Sequence, residues 1–216
     1  TDVRNNVRAG GNIKSNKQRF GIPQGSPISA LISNIYMLDF DLAMKKYVDS
    51  YNGKYFRYCD DMLFIVPTDV RDVVVGEAQK EVHKLKVSIN TSKTELRTFT
   101  HNNNLLVTDK MLQYLGFMFD GENVYIRSSS LARYSEKMKR GVRLAKKTKD
   151  KYNSIRAQKG FPEKELFKRK LYSRYTHLGH RNFITYGLKA AEKMQSKTIK
   201  RQLKPLWNRF HDELEK

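Results

Sequence analysis

Tyr55-Phe56-Arg57-Tyr58-Cys59-Asp60-Asp61-Met62-Leu63-Phe64-Ile65-Val66 sets two adjacent carboxylates between two runs of aromatic and branched apolar residues. Such runs favour a pleated, half-buried backbone, so the acidic pair is expected at the tip of a β-hairpin spanning residues 54–67. Two like charges about 4 Å apart repel by roughly 1 kcal/mol in water and about 4 kcal/mol at a partly desolvated surface, so the pair invites a cation. A hard divalent ion with oxygen ligands suits it best. An exposed acidic turn between strands is also a common structural feature, and the string alone leaves both readings open.

Upstream, Ser26 is placed to cap a helix and Pro27 suits a first helical position. Ile28, Leu31, Ile32, Ile35, Leu38 and Leu42 then recur at helical spacing, which predicts a helix over residues 27–48, stopped by Tyr51-Asn52-Gly53. Downstream, Val70, Val73, Val74, Ala78, Val82 and Leu85 mark a second amphipathic helix. From Lys86 the period shifts to two, predicting strands at 87–89, 95–99, 105–107, 113–119 and 124–127, with Asp120-Gly121 as a hairpin turn. Helical spacing returns over 131–158, breaks at Gly160 and Pro162, and continues over 163–178, 181–195 and 197–214. The pattern is α+β: a mixed body over residues 1–130, then an all-helical module over 131–216.

Charge divides at the same place. The 216 residues carry a net +20, yet residues 1–130 hold 17 Lys and Arg against 14 acidic residues, and residues 131–216 hold 25 against 8. A cationic block of this density points to a polyanion, since a merely solvated face mixes both signs. Aromatics among these cations, including Tyr134, Tyr172, Tyr175 and Trp207, are expected to pack the helices against one another. His177 and His180 lack the thiol and carboxylate partners of a zinc site. The single Cys59 excludes an internal disulfide framework, and no apolar run reaches the ~20 residues of a membrane span. The expectation is a cytoplasmic chain with no membrane partner, and one that is part of a longer polypeptide.

The hairpin also keeps particular company. Gly21-Ile22-Pro23-Gln24-Gly25-Ser26-Pro27 precedes it, and Asn90-Thr91-Ser92-Lys93-Thr94-Glu95 and Tyr114-Leu115-Gly116-Phe117 follow. In this order and spacing, residues 21–139 resemble the reverse transcriptases, in particular bacterial ones related to group II intron, retron and phage-defence enzymes. The resemblance implies a polymerase palm-like antiparallel sheet with packed helices, followed by a thumb-like module. It implies that Pro23, Gln24, Gly25 and Ser26 lie against template and incoming nucleotide, with Tyr58 near the primer end. Asp60 and Asp61 would be catalytic metal ligands for Mg2+ or Mn2+, Lys93 would approach the triphosphate, and Leu115 and Gly116 would form the primer-grip turn. Arg133, Lys137, Lys139, Arg140 and Arg143 are expected on the nucleic-acid backbone.

The implied activity is RNA-directed DNA synthesis by two-metal nucleotidyl transfer, with an RNA template, a DNA product and dNTPs as partners. Such enzymes take a further catalytic aspartate from a strand before the Gln-Gly loop, which is expected in an N-terminal polymerase region or a partner chain. Two other readings stay open: a nucleic-acid-binding module of polymerase shape without activity, and a polymerase that uses ribonucleotides or no template.

Overall fold

Proline at the first position of a helix loses no hydrogen bond, and helix α1 (Pro27–Tyr36) begins there in the computed structural model, which describes residues 26–103 and 105–216. Pro23, Gln24 and Gly25 lie outside the described residues. Ser26 occupies the N-cap position with extended backbone, but its side chain makes no capping bond. The helix expected over 27–48 is two helices. It breaks at Met37, whose amide donates to the Asn34 carbonyl three residues back, and α2 runs Leu38–Asp49.

Two compact units divide the chain, one ending at Thr94 and the other spanning Glu95–Lys216. In the first, α2 buries Phe40, Met44 and Val48 at i, i+4 and i+8 against Val74, Ala78 and Val82 of α3 (Arg71–Lys84). Gly53 then turns the chain from α2 into the hairpin. A Cβ there would sit 2.7 Å from both the Ile65 carbonyl oxygen and Val48 Cγ1, so only glycine fits. Strands β1 (Lys54–Tyr58) and β2 (Asp61–Ile65) pair antiparallel, with Tyr55 opposite Phe64, Arg57 opposite Met62 and Tyr58 opposite Asp61. Tyr55, Met62 and Phe64 therefore share the face packed on the core, while Phe56, Tyr58 and Asp61 share the exposed face.

Residues 87–89 and 95–98 do not form the expected strands. Asn90 accepts from the Ser92 amide at 3.1 Å, and its carbonyl accepts from Thr94 Oγ1 at 3.1 Å, closing a one-turn 3-10 helix, Thr91–Lys93. Local side-chain bonds have displaced the strand ladder.

In the second unit, β3 (Phe99–Asn102) pairs with β4 (Leu105–Thr108), and β5 (Leu112–Tyr114), β6 (Phe117–Phe119) and β7 (Val124–Ile126) form a three-stranded antiparallel sheet. The single strand expected over 113–119 is thus a hairpin. Four helices follow: α4 (Ser128–Gln158), α5 (Arg169–Tyr175), α6 (Phe183–Lys193) and α7 (Lys197–Glu215). The helix expected over 163–178 shrinks to α5 because Asn153 clasps both backbone groups of Lys164, at 3.0 Å each, and holds that segment out of helical register.

Helices and sheet share one core, built from Ile126, Tyr134, Met138, Val142, Leu171, Tyr175, Ile184, Leu203, Leu206 and Phe210. Gln202 of α7 bonds both the amide and the carbonyl of Ile126, at 2.8 and 3.0 Å, and closes the outer edge of β7. Charge changes after Ser130 while the division into units falls at Glu95: the sheet shares its core with the basic helices. The aromatics interleaved with the cations pack as expected, with Tyr134 stacked on Phe183 at 4.9 Å and Tyr172 edge-on to Phe210 at 5.2 Å.

Glu213 is the buried charge of this unit, 4% exposed and bonded by Arg143 Nε at 2.7 Å. That hydrogen bond, aided by the charges of Arg143, Lys216 and Lys139, outweighs burial and holds its carboxyl below the ordinary 4.5. A depressed acid stabilises the fold above its unfolded value and stops doing so as pH falls through its folded value. Urea melts of Glu213→Gln should accordingly show lower stability than wild type at pH 7 and a gap that closes as pH is taken below about 4.5.

Candidate functional site

The Tyr58–Asp61 pairing leaves only Cys59 and Asp60 to reverse the chain, so Asp60 stands in the turn and Asp61 opens the return strand. Cys59 adopts φ +52°, a left-handed conformation that costs a non-glycine residue on the order of 1 kcal/mol. Both aspartates are exposed, and neither carboxylate makes a hydrogen bond or ion pair among the described residues. Tyr58 stands beside them, 64% exposed. The hairpin tip thus offers two exposed carboxylate groups as oxygen donors.

A divalent ion fits this donor set in one particular way. No cluster of three or more His, Cys, Asp or Glu side chains is present among the described residues, so no all-protein cage exists there. Mg2+ commonly takes one or two carboxylates and completes its octahedron with water and substrate phosphate oxygens, and two carboxylates on a rigid turn match that habit.

What holds the turn is a network that the sequence pattern did not flag. Arg57 sits at an inward position of β1 with its side chain 9% exposed. Its Nε and Nη2 donate to the two oxygens of Asp41 on α2, at 2.7 and 2.5 Å, and Nη1 donates to Asn34 Oδ1 at 2.9 Å and to the Cys59 carbonyl at 3.0 Å. Tyr55 Oη also donates to Asp41, at 2.7 Å. Partial burial alone would raise the Asp41 carboxyl, but the bonds from Arg57 and Tyr55 and the charge of Arg57 carry it below its ordinary 3.8. Burial, then the bond to Asp41, push the Tyr55 hydroxyl far up, so it stays a donor at any ordinary pH. One signal was legible: a charged residue on the buried face of an aromatic strand requires a partner.

Lys93 lies in the same unit on the one-turn 3-10 helix, exposed. Leu115 and Gly116 lie in the second unit and make the two-residue turn between β5 and β6, with φ +49° and +85°. Two positive φ values in a row are the mark of a type I′ turn. Along α4, Arg133, Lys137 and Arg140 recur on one exposed face, opposite the buried Tyr134, Met138 and Val142. Arg143 is tied to Glu213, and Lys139 is half-buried, so these two are less available to a partner than the other three.

Of the expected site residues, the structure brings Tyr58, Asp60 and Asp61 together at one hairpin tip and lines Arg133, Lys137 and Arg140 along one helix face. No helix among the described residues is long and apolar enough to cross a membrane. Compared with known families, residues 5–119 match the model of the reverse transcriptase (RNA-dependent DNA polymerase) family. The match takes in the hairpin, Lys93 and the Leu115-Gly116 turn, and stops before the basic helices.

Leucine in a left-handed turn is strained, whereas Asn-Gly is the preferred pair for this turn. Leu115→Asn should therefore raise stability by about 0.5–1 kcal/mol in a denaturant melt, and Gly116→Ala should lower it, because alanine resists φ +85° even with open space around it.

Proposed function

The chain belongs to the reverse transcriptase family, and on that premise we propose that it extends a primer by RNA-templated DNA synthesis, adding dNTPs by two-metal nucleotidyl transfer. The observation that carries this reading is the pair of exposed carboxylates, without a partner among the described residues, at the tip of a braced hairpin. The family implies an RNA template, a DNA product and dNTPs, and its members generally use divalent metal ions. Asp60 and Asp61 are the residues that would hold Mg2+ or Mn2+. When bound, the metal lowers the pKa of the attacking hydroxyl and neutralises charge on the triphosphate.

The other assignments follow from chemistry and order along the chain. Lys93, an exposed cation, meets the triphosphate oxygens. Tyr58 packs at the primer end. Pro23, Gln24, Gly25 and Ser26 contact nucleotide and template, Gln24 offering both donor and acceptor. Leu115 and Gly116 grip the primer, and Arg133, Lys137, Lys139, Arg140 and Arg143 face backbone phosphates. Residues 1–130 then act as palm and 131–216 as thumb, with the three-stranded sheet of residues 112–126 packed in the same unit as the thumb helices. A cytoplasmic bacterial retroelement or antiphage defence system is the setting proposed.

Two carboxylates are fewer ligands than two metal ions need. Helix α1 buries none of its residues and exposes Ile28, Leu31, Ile32 and Ile35. An apolar helix left bare in this way supports a covering segment, from an N-terminal polymerase region or a partner chain, that also brings the remaining ligand. The two-carboxylate donor set equally motivates a second reading, a binding module without catalysis.

Asp60→Ala should reduce primer extension by the intact protein by at least ~10³-fold while leaving template affinity within a few fold. Undiminished extension would refute the catalytic assignment, and wild-type protein that binds but never incorporates would favour the binding module. Template affinity should fall with salt at a log–log slope near −5 if ~6 phosphates are neutralised, and removing Lys137 and Arg140 together should flatten that slope by about 2.

A further inference from the structure

Of the two described residues whose side chains bond the Asp41 carboxylate, Tyr55 and Arg57, it is Arg57 that also bonds the turn itself. Its Nη1 reaches the carbonyl of Cys59, the strained residue immediately before Asp60. The same nitrogen bonds Asn34 at the end of α1, while Nε and Nη2 grip both oxygens of Asp41 on α2. One planar group thus connects two helices to the peptide whose orientation decides where the Asp60 and Asp61 side chains point. Four donated bonds from five N–H groups fix the guanidinium in one pose, and a fork-to-fork pair with a carboxylate is among the strongest arrangements available to it.

We propose that Arg57 is a positioning residue for the Asp60–Asp61 turn, braced by Asp41, Asn34 and Tyr55; this rests on the reading of that turn as the metal-binding site. The turn needs such a brace for two reasons. The left-handed Cys59 costs free energy, so surrounding bonds must hold it there. The two carboxylates also repel one another, and without a fixed backbone they would splay apart when no cation is present. A network that orients ligating carboxylates before any metal arrives saves the reaction that rearrangement.

The fork geometry, and not charge alone, does this, so lysine is not an adequate substitute. A lysine ammonium at position 57 retains the ion pair with Asp41 but lacks the second arm that bonds Asn34 and Cys59 together. Asn34→Ala tests the same brace from its exposed end, where folding is least at risk, because α1 contributes no buried residue.

The experiment compares wild type, Arg57→Lys, Asn34→Ala and Asp60→Ala in the intact protein, with two readouts. The first is amide hydrogen exchange without metal. Arg57→Lys should speed exchange at residues 59–62 by tenfold or more, Asn34→Ala by a smaller factor, and neither should change exchange in α3. The second is primer extension against Mn2+ concentration. Arg57→Lys should lower kcat ten- to a hundredfold, leave KM for dNTP within about threefold and raise the Mn2+ concentration for half-maximal rate. Wild-type exchange at the turn in Arg57→Lys overturns the proposal, as does faster exchange spread equally through α3, which would make Arg57 merely structural. If Asp60→Ala still extends primers, the metal-site reading fails, while the exchange data continue to judge whether Arg57 holds the turn.

Discussion

The structure around the site depends on the partly buried ion pair between Arg57 and Asp41. A guanidinium on the inner face of a strand is costly unless its donors are met, and here four bonds meet them with α1, α2 and the turn itself. The hairpin is thereby locked in orientation on the first unit, and its tip is left to present charge outward. Because Asp41 keeps a quarter of its side chain in solvent, the pair stands as a geometric device more than as a store of stability.

The second unit solves a different problem. Its cations are gathered on helices that would repel one another in isolation, and the aromatic and aliphatic core beneath them holds them at fixed spacing. Glu213 is the internal counter-charge that makes Arg143 part of this framework. Gln202 and Ser196, which bonds the Val124 carbonyl at 2.8 Å, tie α7 to the edge of the sheet. These contacts fix the helices that carry the cations against the sheet, and Arg133, Lys137 and Arg140 share one exposed face of α4.

Much of this was legible beforehand, for identifiable reasons. The hairpin at Asp60 and Asp61 was readable because aromatic and branched runs on both sides leave little choice but strands, and the buried face of α3 was readable from its period, whereas the apolar stripe read over 27–48, Ile28 to Leu42, lies exposed and α2 buries Phe40, Met44 and Val48 instead. Other features depend on tertiary contacts that leave no periodic trace. The clasp of Asn153 on Lys164 shortened a helix that spacing alone extended, and the Leu115-Gly116 reversal left no mark in the apolar period over 113–119, although the family resemblance implied a turn there. At the site, the carboxylates were visible as a motif. The pairing of Arg57 with Asp41 was not, since the inward register of Arg57 asks for a partner but only the fold supplies Asp41.

The account as a whole is tested most directly by single-nucleotide incorporation in the intact protein. A labelled primer is annealed to an RNA template and supplied, with Mg2+, one dNTP or one NTP at a time. The expected result is addition of the complementary dNMP, with mismatched dNTPs and all NTPs disfavoured by at least ~10²-fold in kcat/KM. Tight template binding with no addition, or addition that ignores the template base, would contradict it.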